Sequence, residues 1–196
     1  DREVESLRSF AKLYGKDLLK IAKVAIDEAA RNNKKFKPAR GDYADELFNK
    51  GASFVTLEKN GQLRGCIGSL LPSQAVAFDV AQNAFSAAME DNRFKPLKES
   101  ELDKIKISIS LLTGFEPISY KNEEDLVAKL AAGVDGVIIR DGDRQGVFLP
   151  AVWKQLPEPQ EFLNNLKIKA GMSPSYWSNR IKVYRFRVVE ISKDEN

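Results

Sequence analysis

The sequence predicts an α+β fold in which mainly antiparallel sheets are flanked by helices. Three observations carry this. Leu18, Ile21, Ala22, Ala25, Ile26 and Ala29 recur at helical spacing, with Lys20, Lys23, Asp27 and Glu28 between them. Extended runs are joined by tight-turn signals, Asn60-Gly61 and Asp141-Gly142-Asp143, which make hairpins rather than parallel crossovers. Helical and extended segments are interspersed along 196 residues, a length that suits one domain, or one domain with a small second lobe.

Leu7, Phe10, Ala11 and Tyr14 continue the helical period ahead of Gly15, as an extension of the first helix or as a separate turn, and Asn32-Asn33 ends it. Residues 36–40 read as a loop, and the basic cluster Lys34, Lys35, Lys37 and Arg40 as solvated; residues 43–48 suit a short helix. Residues 53–58 are a strand rich in β-branched and aromatic side chains, and Asn60-Gly61 favours a two-residue type I′ turn. The return strand is Leu63-Arg64-Gly65-Cys66-Ile67-Gly68. A two-residue turn pairs Leu57 with Arg64 and Val55 with Cys66. Strand alternation then puts Arg64 and Cys66 on one face, with the thiol beside apolar side chains and one cation, and Leu63 and Ile67 on the other.

Leu71-Pro72-Ser73 breaks the strand, with Ser73 as the expected N-cap of the next helix. That helix runs to about Met89 on a stripe of Val76, Ala77, Val80, Ala81, Ala84, Ala87 and Ala88, small enough to lie hard against the sheet. Asn83 sits off the stripe, donating to a neighbouring loop or to water. Residues 90–97 form a polar loop anchored by Phe94 and Leu97. Residues 104–111 alternate strictly, so they form a strand with Ser108 and Ser110 on its polar face. A helix over 122–132 carries Glu123, Glu124 and Asp125 in its first turn and Gly133 after it. Residues 136–140 and 146–149 pair as strands, and Pro150 stops the second. Residues 159–170 are a helix with Phe162, Leu163, Leu166 and Ala170 inward. The last strand spans 182–191, with Tyr184, Phe186 and Val188 on one face.

Composition narrows the function. With 31 basic and 28 acidic residues the net charge is +3, which does not argue for nucleic acid. No apolar run approaches the roughly 18 residues of a membrane span, so no membrane partner is expected. The first residues lack a signal-peptide layout, and the chain starts without an initiator Met, as part of a longer protein would. One cysteine excludes an internal disulfide and fits a reducing, cytoplasmic setting. No histidine is present, so neither a Ser-His-Asp triad nor a Cys-His dyad can form within the chain. A metal site is not expected from one Cys and no His, and no dinucleotide or P-loop motif occurs, so no cofactor is expected either.

The hexapeptide 63–68 holds the single cysteine, with Arg64 two residues before it and Gly65 and Gly68 around it. Two readings stand. Cys66 is a reactive thiol, its thiolate favoured by Arg64, with glycines that leave backbone open to a ligand. Alternatively Cys66 is a small buried hydrophobe in a strand.

Leu63-Arg64-Gly65-Cys66-Ile67-Gly68 also resembles the signature hexapeptide of the AMMECR family. Phe54-Val55-Thr56-Leu57 before it agrees, as do Asn83-Ala84, Ala87-Ala88, Asp91, Arg93-Phe94 and Pro96-Leu97 after it. Ser108-Ile109-Ser110-Leu111-Leu112-Thr113, Gly136-Val137-Ile138-Ile139, Phe148-Leu149-Pro150 and Lys169-Ala170-Gly171 extend the match over about residues 18–188. The resemblance implies a single two-lobed domain over 1–196, with a larger lobe containing both termini and a smaller lobe inserted from the middle. The cleft between such lobes often takes small molecules.

For activity the resemblance implies little that is defined. One expectation is an enzyme or enzyme subunit that binds a small substrate through the signature. Cys66 would be nucleophile or redox thiol, and Arg64 would hold an anionic group. Gly65, Ile67, Gly68, Asp91 and Arg93 would contact the substrate. The Asp91-Asn92-Arg93 loop would fold back on the signature with Asp91 pairing with Arg64, the alternative being an Asp91–Arg93 contact inside a surface turn, and Asp91 or a tyrosine would supply acid–base chemistry. The other expectation is a non-catalytic ligand-binding or adaptor module in a pathway with Memo-like and radical S-adenosylmethionine proteins. Two positions depart from many relatives: Ala151 replaces a glutamine and Lys167 replaces a second cysteine, so no mechanism needing a cysteine pair is expected.

Overall fold

The computed structural model describes residues 1–193. In chain order its elements are α1 (Arg2–Asn32), β1 (Ser53–Lys59), β2 (Gln62–Gly68), α2 (Val76–Met89), β3 (Ile105–Leu112), β4 (Glu116–Pro117), α3 (Glu123–Lys129), β5 (Gly136–Asp141), β6 (Arg144–Phe148), α4 (Pro159–Lys169), β7 (Lys182–Phe186) and β8 (Val188–Ser192). Short 3₁₀ helices span Asp45–Phe48, Glu99–Lys104 and Pro150–Lys154. These elements form two compact units. One comprises Asp1–Leu112 with the segment that starts at Val189, the other Thr113–Val188.

In the first unit α1 is continuous through Gly15. Its stripe packs inward, and Asn33, in left-handed conformation at φ 47°, closes it by donating to Ala29 O. Gly15 is buried because Ile191 occupies the space a side chain would need, 3.1 Å from where a Cβ would lie. The sheet order is β2-β1-β3-β8. Val55 and Leu57 of β1 and Ile109 and Leu111 of β3 join Leu18, Ile21 and Ala25 of α1 and Val80, Ala84 and Ala87 of α2 in one core. The small stripe of α2 lets its backbone approach the sheet closely.

Ser73 is not the N-cap of α2. The helix starts at Val76 with Ala75 in the cap position and no side-chain cap bond. Val76 N–H donates instead to Asn49 O at 2.8 Å, because residues 74–75 pair with the segment after Phe48.

In the second unit the sheet order is β4-β7-β5-β6, with antiparallel pairings throughout. Leu126 of α3 and Phe162, Leu163 and Leu166 of α4 cover Val137, Ile139 and Val183. Trp153 stacks on Phe162 with centroids 3.7 Å apart, and its indole N–H donates to Asp135 O at 2.8 Å. Helix α3 stops at Lys129, short of the expected residue 132, because Leu130 turns extended and buries its side chain.

The expected final strand is two strands. β7 belongs to the second sheet and β8 to the first, with Arg187 at the break. There Thr113 N–H donates to Arg187 O at 2.9 Å and Arg187 N–H to Thr113 Oγ1 at 2.8 Å. Val188 therefore belongs to a different sheet from Tyr184 and Phe186. Among the described residues no helix is long and apolar enough to cross a membrane.

Candidate functional site

The hairpin turn forms as the sequence dictates: Asn60 and Gly61 both have positive φ, 53° and 76°. Lys59 pairs with Gln62 and Glu58 with Leu63. The register then shifts, so that Leu57 faces Gly65, Thr56 faces Cys66 and Val55 faces Ile67. Arg64 is the extra residue of a β-bulge. The pairings of Leu57 with Arg64 and Val55 with Cys66 are thus corrected by one residue, and simple alternation no longer places Arg64 with Cys66.

The bulge re-aims the guanidinium. Arg64 donates to both oxygens of Glu101, at 3.1 and 3.2 Å, and to Lys95 O at 2.8 Å, and it lies over the Phe94 ring. Glu101 also accepts from Lys59 Nζ and Lys98 N–H, each at 2.9 Å. Its carboxyl is held down to about 2, first by the Arg64 hydrogen bonds and then by Lys98 N–H and Lys59.

The two glycines admit close neighbours within the fold. A Cβ on Gly65 would stand 2.1 Å from the Ala87 carbonyl oxygen of α2. A Cβ on Gly68 would stand 2.1 Å from the Phe54 ring. On the side a Cβ would take, helix and ring already use the space beside these glycines. Ile67, opposite the fully buried Val55, packs against the core. Cys66 takes the other face. It is half-buried, and its Sγ lies 3.3 Å from Thr56 Oγ1, so its neighbour is a hydroxyl rather than the expected apolar group. Ser108 and Ser110, paired with Thr56 and Phe54, continue that face onto β3.

The loop after α2 folds back onto the signature. Asp91 Oδ2 accepts Cys66 N–H at 3.0 Å along the outer edge of β2, and Arg93 Nη2 at 2.7 Å. Asp91 Oδ1 accepts Arg93 Nε at 3.0 Å and Arg93 N–H at 3.2 Å. Asp91 thus pairs with Arg93 and not with Arg64, whose guanidinium Glu101 holds. The Asp91 carboxyl sits at about 2, lowered chiefly by the Arg93 hydrogen bonds, with burial opposing and Cys66 N–H lowering it further. So low a group, occupied by four N–H donors, is poorly matched to proton transfer at neutral pH.

Arg93 is raised above its ordinary value, chiefly by the Asp91 hydrogen bond, then by the charges of Asp91 and Cys66. Its side chain is 53% exposed while that of Asp91 is 5% exposed. The Cys66 contribution places Arg93 within electrostatic reach of the sulfur.

A buried polar cluster beneath the end of the signature escaped the sequence reading. Asp79 Oδ2 accepts Ser53 N–H at 2.9 Å and Ser53 Oγ at 2.7 Å, and its Oδ1 accepts Ser69 Oγ at 2.8 Å. Asn83, expected at the margin of the stripe, is buried and donates to Ser53 O and to Asp79. The signal was present: Asp79 and Asn83 stand four apart inside a run of small apolar residues. The cluster ties α2 to the residues that flank Gly68. Among the described residues no group of three or more Cys, Asp or Glu side chains is placed to hold a metal ion.

Residues 19–191 match the AMMECR1 family. A protein of Methanothermobacter thermautotrophicus is 37% identical over 182 residues, covering 92% of this chain and 94% of the relative. One of Thermococcus onnurineus is 39% identical over 193 residues, covering 93% and 91%. The crystal structure of an uncharacterised protein from Pyrococcus horikoshii matches with a TM-score of 0.84 at 33% identity, over 90% of each chain.

Proposed function

The chain belongs to the AMMECR1 family, and we propose that it binds a small anionic substrate beside the Cys66 thiol, as a cytoplasmic enzyme or a subunit of one. The observation that carries this reading is the Asp91 carboxylate, which bonds Cys66 N–H and Arg93 at once and so fixes a half-exposed cation next to the single thiol. Asp91 occupies the Nε and Nη2 edge of the guanidinium, which leaves the Nη1 side for a carboxylate or phosphate. A nearby cation also favours the thiolate, the nucleophilic form. In this reading Cys66 and Arg93 are the contact groups. Asp91 is a positioning residue, and Arg64, Gly65, Ile67 and Gly68 shape the strand that presents the thiol.

Alkylation kinetics test the proposal. At pH 7 Cys66 reacts faster than free cysteine, and it prefers anionic iodoacetate over iodoacetamide relative to free cysteine. Arg93→Gln removes most of that preference. A thiol that labels only after unfolding, or whose preference ignores Arg93, sinks the proposal. One observation favours a second reading, a non-catalytic adaptor that meets Memo-like and radical S-adenosylmethionine proteins: Arg64, Gly65 and Gly68 are all engaged in packing and ion pairing. Under that reading Cys66→Ser leaves partner binding intact.

A further inference from the structure

We infer that the groove between residues 35–38 and the outer side of α2 is a docking site for an extended acidic segment of a partner protein. The groove, of about 420 Å³, lies wholly within the first unit. Its rim is basic and its floor aromatic. Lys35 Nζ stands 5.3 Å from the Phe85 ring centroid, Lys37 Nζ 5.4 Å from that of Phe78, and next to them Arg40 lies 4.7 Å from Phe48, which meets Phe78 edge-on. The rings hold these cations in place. Among the described residues none of the three is in an ion pair, whereas Lys59, Arg64 and Arg93 each hold a carboxylate. Glu90 is the one acidic residue of the lining, and it accepts the Ser86 hydroxyl. The cluster is therefore an uncompensated positive strip over apolar surface, which focuses a field for negative charge.

Length and ring exposure choose the occupant. The lining runs beside α2 from just before its first residue to just after its last, and its 14 helical residues rise about 21 Å at 1.5 Å per residue. A small metabolite fills only part of that, whereas roughly seven extended residues at 3.3 Å each span it. Nucleobases would need open aromatic faces for stacking. Here Lys37 covers Phe78, Lys35 covers Phe85, and Phe85 is buried. Carboxylates on the cations, with an apolar side chain between them, suit what remains.

The test uses the whole protein and three fluorescent probes: a heptapeptide alternating glutamate with leucine, its glutamine counterpart, and a thymidine heptanucleotide. The acidic peptide binds about tenfold more tightly than its glutamine counterpart. Its affinity falls about tenfold in the K35E/K37E variant and by a smaller factor in K35Q/K37Q. It also weakens as salt rises from about 0.05 to 0.3 M. K12E/K16E, which alters charge on α1 instead, binds like the parent. All variants change exposed side chains, and circular dichroism verifies their folding. Absence of Lys35- and Lys37-dependent peptide binding at millimolar concentration overturns the inference. So does an oligonucleotide that binds as tightly with the same lysine dependence.

Discussion

Asp91 and Glu101 are the residues on which the signature strand rests, and both carry that role as a shifted titration. Asp91 falls from 3.8 to about 2 and Glu101 from 4.5 to about 2. Each folded value lies below the unfolded one. Each group therefore stabilises the protein above its unfolded value, and the contribution disappears as pH falls through the folded value. For the nearly buried Asp91 the shift corresponds to about 2 kcal/mol, and for Glu101 to about 3 kcal/mol. Urea unfolding should lose stability between about pH 5 and pH 2. Asp91→Asn should lower stability at pH 7 by about 2 kcal/mol and flatten that acid limb; a parental limb in this variant would show that the Arg93 and Cys66 bonds contribute nothing. The sequence marked Arg64, Cys66, Asp91 and Arg93 as notable types. It could not assign their partners, because Arg64 and Glu101 are 37 residues apart and Cys66 and Asp91 are 25 apart. Nothing local distinguishes Glu101 from Asp91 as the carboxylate that meets Arg64.

Among elements, the contact of β2 with α2 decides which substitutions the signature tolerates. At Gly65 an added methyl meets helix backbone, which cannot step aside. At Gly68 it meets a half-buried ring that can swing away. Gly65→Ala should therefore cost about 3 kcal/mol or prevent folding, and Gly68→Ala less. Phe54→Leu should partly relieve Gly68→Ala and leave Gly65→Ala unrelieved. Denaturation of the single and double variants measures this, and equal costs at both glycines would refute the packing argument. Alternation and turn chemistry made the hairpin legible, since Asn60-Gly61 forms the turn type its residues favour. The bulge was not legible, because it depends on Arg64 finding Glu101. Nor was the break at Arg187, since extended side chains on both sides of it read as one strand whichever sheet receives them. Lys167 was equally hidden: it is fully buried in α4, paired with Glu123 and bonded to Pro174 O at 3.1 Å. Glu123→Gln strands that ammonium and should cost about 3 kcal/mol, while Lys167→Met, which removes the buried charge, should cost less. The reverse order in thermal unfolding would contradict this.

At the scale of the whole chain, the second unit is an insertion whose ends are zipped together. Thr113 and Arg187 hydrogen-bond to one another at its two boundaries. Between them lies a separate core that includes Leu126, Trp153, Phe162, Leu163 and Leu166. The first unit, by contrast, is discontinuous: β8 joins its sheet only after the insertion has been traversed. Because the ends already meet, a short glycine-rich linker replacing residues 114–186 has little loop entropy to lose and need not distort β3 or β8. The shortened protein should unfold cooperatively and keep the β2-β1-β3-β8 sheet. Cys66, Thr56, Asp91 and Arg93 all belong to the first unit. Their alkylation chemistry, including the iodoacetate preference and its loss in Arg93→Gln, should therefore survive the deletion. A shortened protein that folds yet labels like free cysteine would mean that residues of the second unit help to form the site. One that cannot fold would mean that the first unit draws stability from the insertion beyond the closure of its ends.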